Sequence, residues 1–208
     1  QMKCLERKNH MQNLNSENFI RIYENAVDLN YCDSLIEKFE SNPDQQHIRN
    51  TKDLRKVDDT TYERGAVLFD ELHLWKYMDT WKKDIDTLAK VFTKYVDLYK
   101  SEFSPHCFPH KHGFEPFKMK RYKPNGKDEF GWHVDVRTFK NLQRFLAMFI
   151  YLSDNEEGKT EFDYQNTITN CKKGSMVIFP PMWPWLHRGT KSVSTPKYFM
   201  GGYLHYVE

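Results

Sequence analysis

The stretch FKMKRYKPNGKDEFGWHVDVRT, residues 117–138, carries most of the information about the fold of this chain. In residues 117–122 the side chains fall into two alternating sets, Phe-Met-Arg and Lys-Lys-Tyr, and this period of two predicts a β-strand. Pro124-Asn125-Gly126 follows as a turn signal. His133-Val134-Asp135 then places an imidazole and a carboxylate two residues apart. In extended backbone, residues two apart face the same side, so both groups are expected to approach one point.

A second histidine completes a candidate metal site. His187 follows His133 by 54 positions, after a strand predicted at 175–179 and the Pro180-Pro181 turn. Two imidazoles and one carboxylate on one face of a metal form the facial triad of non-haem Fe(II) oxygenases. A single His-x-Asp often occurs by chance and is more typical of a surface turn than of a metal site, so the interpretation depends on the residues around it.

Further short strands follow on the C-terminal side. The pattern predicts them at 144–152, 160–162, 167–171, 175–179, 186–189 and 198–206, with turn signals at 154–158, 172–174 and 180–181. Many short strands separated by such turns are typical of a β-sandwich or barrel.

The N-terminal half is predicted to be mostly helical. A helix at 28–41 ends before Asn42-Pro43-Asp44, and a long amphipathic helix is expected at 73–103. Its apolar stripe suits packing on a sheet, with a coiled coil as the alternative. Residues 45–61 are expected to form a loop, and 62–70 to contain a strand.

Length and composition fit one globular domain. The chain has 208 residues, with 39% hydrophobic and 15% aromatic residues, which excludes a largely disordered protein. A net charge of +2 argues against a dedicated nucleic-acid binder. The longest apolar run, Phe145–Leu152, is far shorter than the roughly 20 residues of a membrane helix, so no membrane association is expected.

The cysteines and the N-terminus suggest a compartment. Cys4, Cys32, Cys107 and Cys171 form no CxxC pair, which favours reduced thiols in an intracellular, cytoplasmic protein. Residues 1–15 are polar, and no secretory signal is visible there.

The sequence from Phe117 to Tyr206 resembles the 2-oxoglutarate- and Fe(II)-dependent dioxygenases of the prolyl 4-hydroxylase-like branch. The resemblance rests on the three candidate ligands and on Lys197, ten residues past His187. It implies a double-stranded β-helix, a jelly-roll, cupin-like barrel. Residues 1–208 would form one domain, in which 1–105 brace the barrel and 106–208 form its core with the iron site.

The resemblance also implies roles for individual residues. The iron ligands would be His133, Asp135 and His187. Lys197 would pair with the distal carboxylate of 2-oxoglutarate, and hydroxyl donors for the same co-substrate would be Tyr122, Thr160 and Tyr151. Arg144 matches an arginine near the substrate groove. Trp183 and Trp185 either form a wall of that groove or pack in the core.

The implied reaction is hydroxylation of an unactivated C–H bond with release of succinate and CO2. It would use Fe(II), 2-oxoglutarate and O2, with ascorbate as a candidate reductant. The expected substrate is a prolyl residue of a peptide or protein. A free amino acid or another small metabolite is the alternative, and a non-catalytic jelly-roll binding module is a second one. The expected state is a monomer or weak homo-oligomer.

Three further features stay open at the level of sequence. His106, Cys107, His110 and His112 are crowded into one loop without a distant partner, which is a poor zinc pattern. The lysines and arginine in residues 118–127 suit a solvated strand face, with an acidic or nucleic-acid partner as the alternative. Residues 123–132 are expected to form a loop at the mouth of the site.

Overall fold

The computed structural model describes residues 18–51, 54–57, 60–63 and 67–208. The N-terminal residues 1–15 and Cys4 lie outside the described part, as do some positions of the loop expected at 45–61.

The described residues form two α-helices and fourteen strands. The helices are α1 (Leu29–Glu40) and α2 (Met78–Ser101). The strands are β1 (Arg21–Tyr23), β2 (His47–Thr51), β3 (Leu54–Val57), β4 (Thr60–Glu63), β5 (Val67–His73), β6 (His112–Phe114), β7 (Lys118–Tyr122), β8 (Glu129–His133), β9 (Arg144–Tyr151), β10 (Asn155–Phe162), β11 (Thr167–Cys171), β12 (Met176–Phe179), β13 (His187–Gly189) and β14 (Lys197–Tyr206).

All strand pairs are antiparallel, and one curved sheet dominates. Its order is β1-β12-β9-β14-β7-β5-β8-β13-β10-β11, while β2 adds to β5 and β6 adds to β14. The hairpin of β3 and β4 is separate. The sheet forms a nearly closed barrel, and the jelly-roll fold predicted from the sequence is confirmed.

Strand alternation divides the barrel into an outer and an inner face. Along β9, Leu146, Met148 and Ile150 belong to the core shared with the helices, whereas Ala147 and Tyr151 belong to a second core inside the barrel. This division follows from the period of two, because neighbouring side chains in a strand point to opposite faces. Side chains on the inner face point into the barrel, where they can contact a ligand.

Both helices cover the outer face. Asp28 caps α1, because its side chain accepts a hydrogen bond from the backbone of Tyr31. Helix α2 buries an apolar stripe that includes Trp81, Leu88 and Phe92, each fully buried. The packing of this stripe on the sheet is therefore confirmed. No described helix is long and apolar enough to cross a membrane.

Some local predictions were wrong. Residues 47–51 form a strand rather than a loop, so the N-terminal half is less helical than expected. The strand predicted within 62–70 is confirmed as β5, which lies in the middle of the sheet. Residues 129–132 belong to β8, and 155–158 begin β10. These segments are polar or contain glycine, so they lack a strong strand pattern. Pairing with neighbouring strands satisfies their backbone hydrogen bonds and determines their conformation.

Candidate active site

The three predicted metal ligands converge inside the barrel. His133 ends β8, and His187 begins β13 directly opposite it in the strand register. Asp135 follows β8, where its backbone N–H donates to the carbonyl of Pro181 at 2.9 Å. The Pro180-Pro181 turn therefore fixes the carboxylate beside the imidazoles.

Their donor atoms are arranged as a metal site requires. The Nε2 atom of His133 lies 3.6 Å from Oδ1 of Asp135, and the Nε2 atom of His187 lies 3.5 Å from Oδ2. All three donor atoms lie within 4.8 Å of one another. A facial triad of this composition fits Fe(II).

The backbone sets the tautomer of both histidines. Nδ1 of His133 lies 2.7 Å from the carbonyl oxygen of Gly131, and Nδ1 of His187 lies 2.9 Å from that of Trp185. A carbonyl oxygen only accepts, so each Nδ1 carries the proton and donates it. Each Nε2 then presents its lone pair to the centre of the triad, as a metal ligand must.

The protonation states agree with this arrangement. Burial, together with the neighbouring His133, lowers the pKa of His187 to about 4, so this imidazole is neutral at pH 7. Burial opposes ionisation of Asp135, but the two imidazoles and the Tyr203 hydroxyl hold its pKa well below the usual range. The site therefore presents a neutral imidazole at His187 and an ionised carboxylate at Asp135.

A second part of the cavity is built around Lys197. This lysine is only 1% exposed, and the strand register places it opposite Tyr122. Its ammonium group lies 5.0 Å from the ring centres of Tyr122 and Phe199. Among the described residues, no carboxylate lies within 4.0 Å of it. A buried cation without an anionic partner is costly, so this position suits the carboxylate of a ligand.

Hydroxyl groups surround the same region. Thr160 lines the cavity, and its Oγ1 lies 2.7 Å from the hydroxyl of Tyr151, which also contacts Oγ1 of Thr169 at 2.8 Å. Tyr151 itself does not line the cavity and instead supports Thr160. A Cβ atom at Gly189 would lie 2.7 Å from the Tyr122 hydroxyl, so only glycine leaves that group its present position.

The predicted substrate residues behave differently from one another. Arg144 lines the cavity but is engaged in a two-pronged ion pair with Glu115 at 2.7 and 3.0 Å. Neither Trp183 nor Trp185 is among the described cavity-lining side chains. Trp183 is 78% exposed, and Trp185 donates its Nε1–H to the backbone oxygen of Asn18, which indicates packing.

Comparison with known proteins assigns the family. A family model described as the 2OG-Fe(II) oxygenase superfamily matches residues 117–205. Residues 117–205 belong to the 2OG-Fe(II) oxygenase superfamily. This oxygenase therefore depends on Fe(II), 2-oxoglutarate and O2, as expected from the sequence. No curated protein matches the sequence.

Solved structures match the oxygenase over nearly its whole length. A viral collagen prolyl hydroxylase from Paramecium bursaria Chlorella virus-1, in its 2OG complex, has 19% identity and a TM-score of 0.61, covering 94% of this chain and 100% of its own. A Trichoplax adhaerens prolyl hydroxylase, solved with a peptide of hypoxia-inducible factor, has 14% identity and a TM-score of 0.64, covering 98% and 91%. A Pseudomonas putida prolyl-4-hydroxylase has 11% identity and a TM-score of 0.56, covering 92% and 94%. At these identities the likeness establishes the fold.

Several cavity residues of the oxygenase were not predicted from the sequence, and Tyr203 and Lys120 bear most directly on the site. The Tyr203 hydroxyl donates to Oδ1 of Asp135 at 2.6 Å and so orients a metal ligand. It lies six positions after Lys197 on β14, and strand alternation puts both on the inner face. Lys120, two positions before Tyr122, also lines the cavity. The expectation of a solvated strand face is wrong for this lysine.

A second group of two histidines and a carboxylate lies on β2 and β5. It consists of His47, Glu71 and His73, with the Nε2 atom of His73 2.9 Å from Oε2 of Glu71. Arg49 and Lys118 lie 3.7 and 4.0 Å from the other oxygen of Glu71. These cations make the position unfavourable for a divalent metal. The loop of His106, Cys107, His110 and His112 contributes to neither metal-type group found in the described chain.

The environment of Lys197 predicts a pH dependence for co-substrate binding. Burial lowers the pKa of Lys197 to about 8. A carboxylate binds the protonated form, so affinity should be constant below this pH. Above it, the free oxygenase loses the proton, and the Kd should rise by about tenfold per pH unit until the raised pKa of the complex is reached. Anaerobic titration with 2-oxoglutarate between pH 6.5 and 9 measures this.

Lys197→Arg provides the control for that experiment. Arginine keeps its charge throughout this range, so its Kd, although higher overall, should lack the rise. The same rise in both proteins would assign the pH dependence to another group.

Proposed function

We propose that this dioxygenase hydroxylates a prolyl residue of a peptide or protein. The main support is the correspondence of fold, over more than nine-tenths of this chain, with structures titled as prolyl hydroxylases. At these coverages the correspondence extends beyond residues 106–208 into the N-terminal half of the chain.

The cavity suits a substrate of this kind. Its volume is 420 Å³, and its lining includes the metal ligands, Lys197 and the exposed Arg137 at the rim. When bound, Fe(II) with 2-oxoglutarate and O2 supplies the oxidising chemistry that hydroxylates a C–H bond and releases succinate and CO2. The chain itself would orient the metal ligands through Gly131, Trp185 and Tyr203. It would also hold the co-substrate at Lys197 and shield the site with aromatic rings.

Residues predicted for the co-substrate divide into direct and indirect roles. Lys197 would neutralise the distal carboxylate of 2-oxoglutarate, and Tyr122 would donate its hydroxyl hydrogen to it. In the described structure the Tyr122 hydroxyl has no hydrogen-bond partner, so it is available. Tyr151 would act through Thr160, by holding its hydroxyl in place.

A substrate screen tests the proposal. Purified protein would be loaded with Fe(II) and 2-oxoglutarate and offered proline-containing peptides, free proline and other free amino acids. We expect peptide-stimulated succinate release, with a gain of one oxygen atom on proline by mass spectrometry. Asp135→Ala protein is the matched negative control. Hydroxylation of free amino acids without modification of any peptide would contradict the proposal and favour the small-metabolite alternative.

A further inference from the structure

The side chains that line the cavity carry more positive charge than is needed to balance the iron site and the bound co-substrate. Its cationic lining residues are Arg49, Lys118, Lys120, Arg137, Arg144 and Lys197, and its carboxylates are Glu115 and Asp135. Arg144 is neutralised by Glu115. Lys197 is assigned to the distal carboxylate of 2-oxoglutarate, while Asp135 and the co-substrate would balance Fe(II). Of the four cations that remain, Arg137 lies at the rim, and Arg49, Lys118 and Lys120 lie together on one wall.

That wall carries three cations around one buried carboxylate. Glu71 is 3% exposed, and Arg49 and Lys118 lie 3.7 and 4.0 Å from its Oε1 atom. This oxygen accepts no hydrogen bond within the described structure. Neighbouring Lys120 adds a third positive charge. Glu71 can balance only one of the three, so two positive charges remain at the wall.

Lys120 is the innermost of these cations. Its ammonium group lies among three aromatic rings, 5.2 Å from the centre of Phe69, 5.6 Å from Phe130 and 5.3 Å from Phe199. No carboxylate within the described ranges lies inside 4.0 Å of it. Burial lowers the pKa of Lys120 to about 8, so the group is still mostly charged at pH 7. It is therefore a cation available to an anion that enters the cavity.

The position of Lys120 is next to the metal ligands. The Phe130 ring stacks on the His133 imidazole, with centres 3.5 Å apart and planes 6° from parallel. The guanidinium of Arg49 lies 5.5 Å from the centre of the same Phe130 ring. The Phe130 ring therefore separates both Arg49 and Lys120 from the metal ligand His133. The part of a substrate nearest the hydroxylated carbon would lie in this region.

We infer that Lys120, with Arg49 beside it, binds a carboxylate of the substrate close to the carbon that is hydroxylated. This inference rests on the proposed function and deepens it: the peptide substrate would carry an acidic residue adjacent to the proline. The same chemistry could be met by the carboxylate of a free amino acid or by the second carboxylate of 2-oxoglutarate. The experiment separates these sources.

The test compares matched peptides and variants. Two peptides differ only in Glu or Gln beside the proline, and a third carries Lys there. The proteins are wild type, Lys120→Met, Arg49→Glu and the control Lys127→Met, which removes an exposed lysine outside the cavity. Anaerobic binding of labelled peptides to the Fe(II)- and 2-oxoglutarate-loaded proteins is measured by fluorescence anisotropy. Succinate release and 2-oxoglutarate affinity are measured in parallel.

We expect wild type and Lys127→Met to bind the Glu peptide about tenfold or more tightly than the Gln peptide, as for a charge-assisted hydrogen bond. Lys120→Met should lose most of this difference while keeping its 2-oxoglutarate affinity. Arg49→Glu changes a more exposed side chain, so it provides a second test if Lys120→Met folds poorly. It should shift the preference towards the Lys peptide.

Three results would overturn the inference. The first is equal binding of the Glu and Gln peptides by wild type; the proposed function would still stand if both peptides were hydroxylated. The second is a preference for the Glu peptide that is unchanged in both Lys120→Met and Arg49→Glu. The third is a Lys120→Met protein that binds 2-oxoglutarate more weakly but keeps its peptide preference, which would assign the lysine to the co-substrate.

Free proline and prolinamide complete the design. If proline is hydroxylated and peptides are not, the proposed function fails. Preference for proline over its amide, lost in Lys120→Met, would then still support a carboxylate at Lys120. No difference between proline and prolinamide would reject it.

Discussion

Replacing Asp135 by alanine is expected to abolish iron retention and to lower kcat by more than about 100-fold. Loss of a residue that merely supports a metal ligand commonly costs about 10–100-fold, so loss of a ligand should exceed that range. Asp135 is the anionic member of the triad, and both imidazoles are 3.5–3.6 Å from its oxygens. Iron content after anaerobic loading and succinate release are the measurements.

The fold should survive this change. The Asp135 side chain is 7% exposed and mainly contacts the other ligands and Tyr203. A thermal unfolding curve close to that of wild type is therefore expected. Asp163→Ala, which removes an exposed carboxylate outside the cavity, is the matched control and should keep iron and activity. Full activity of Asp135→Ala would show that the triad assignment is wrong.

Replacing Lys197 by alanine is expected to weaken 2-oxoglutarate binding by about 100-fold. Removing one partner of a buried ion pair commonly costs about 3 kcal/mol, which corresponds to that factor. Iron binding should be nearly unchanged, because Lys197 is not a metal ligand. Turnover at saturating co-substrate should fall less than the apparent affinity, since the lost contact acts mainly in the ground state.

Two further variants test the specificity of the Lys197 effect. Lys197→Arg keeps the charge but must fit a longer planar group into the same pocket, so partial affinity is expected. Lys159→Ala changes a lysine of β10 that does not line the cavity, so it should leave the KM for 2-oxoglutarate unchanged. An unchanged KM in Lys197→Ala would require another anchor. Arg144 and Arg188 are poor substitutes, because Glu115 and Glu161 already pair with them at 2.7 and 2.6 Å.

Four residues of the cavity could be predicted from patterns in the sequence. His133 and Asp135 were identified because alternation along extended backbone is a local property. His187 and Lys197 were identified because their spacing along the chain resembles that of a family with this barrel. Both lines of evidence need only the order of residues, and the structure brings these side chains into one cavity. Their roles towards iron and 2-oxoglutarate stay predictions until the variants above are measured.

Other features depended on which strands pair. β5 joins β7 to β8 in the sheet, although its residues come from the half expected to brace the barrel. Lys120 lies in a run of basic residues that suits a solvated face, and only the rings of Phe69 and Phe130 around it show that it lines the cavity. The packing of Trp185 on Asn18 likewise joins positions far apart in the chain.

The order of residues was enough to predict most strands of the C-terminal half, the amphipathic helix that covers the sheet, and the candidate ligands. Each follows from side-chain periodicity or from spacing, which are properties of neighbouring residues. Tertiary structure alone decided the tautomers of His133 and His187, the support of Asp135 by Tyr203, and the excess positive charge beside the site. These depend on burial and on contacts between distant strands, because the free energy of a charge or hydrogen bond is set by the groups that surround it in space.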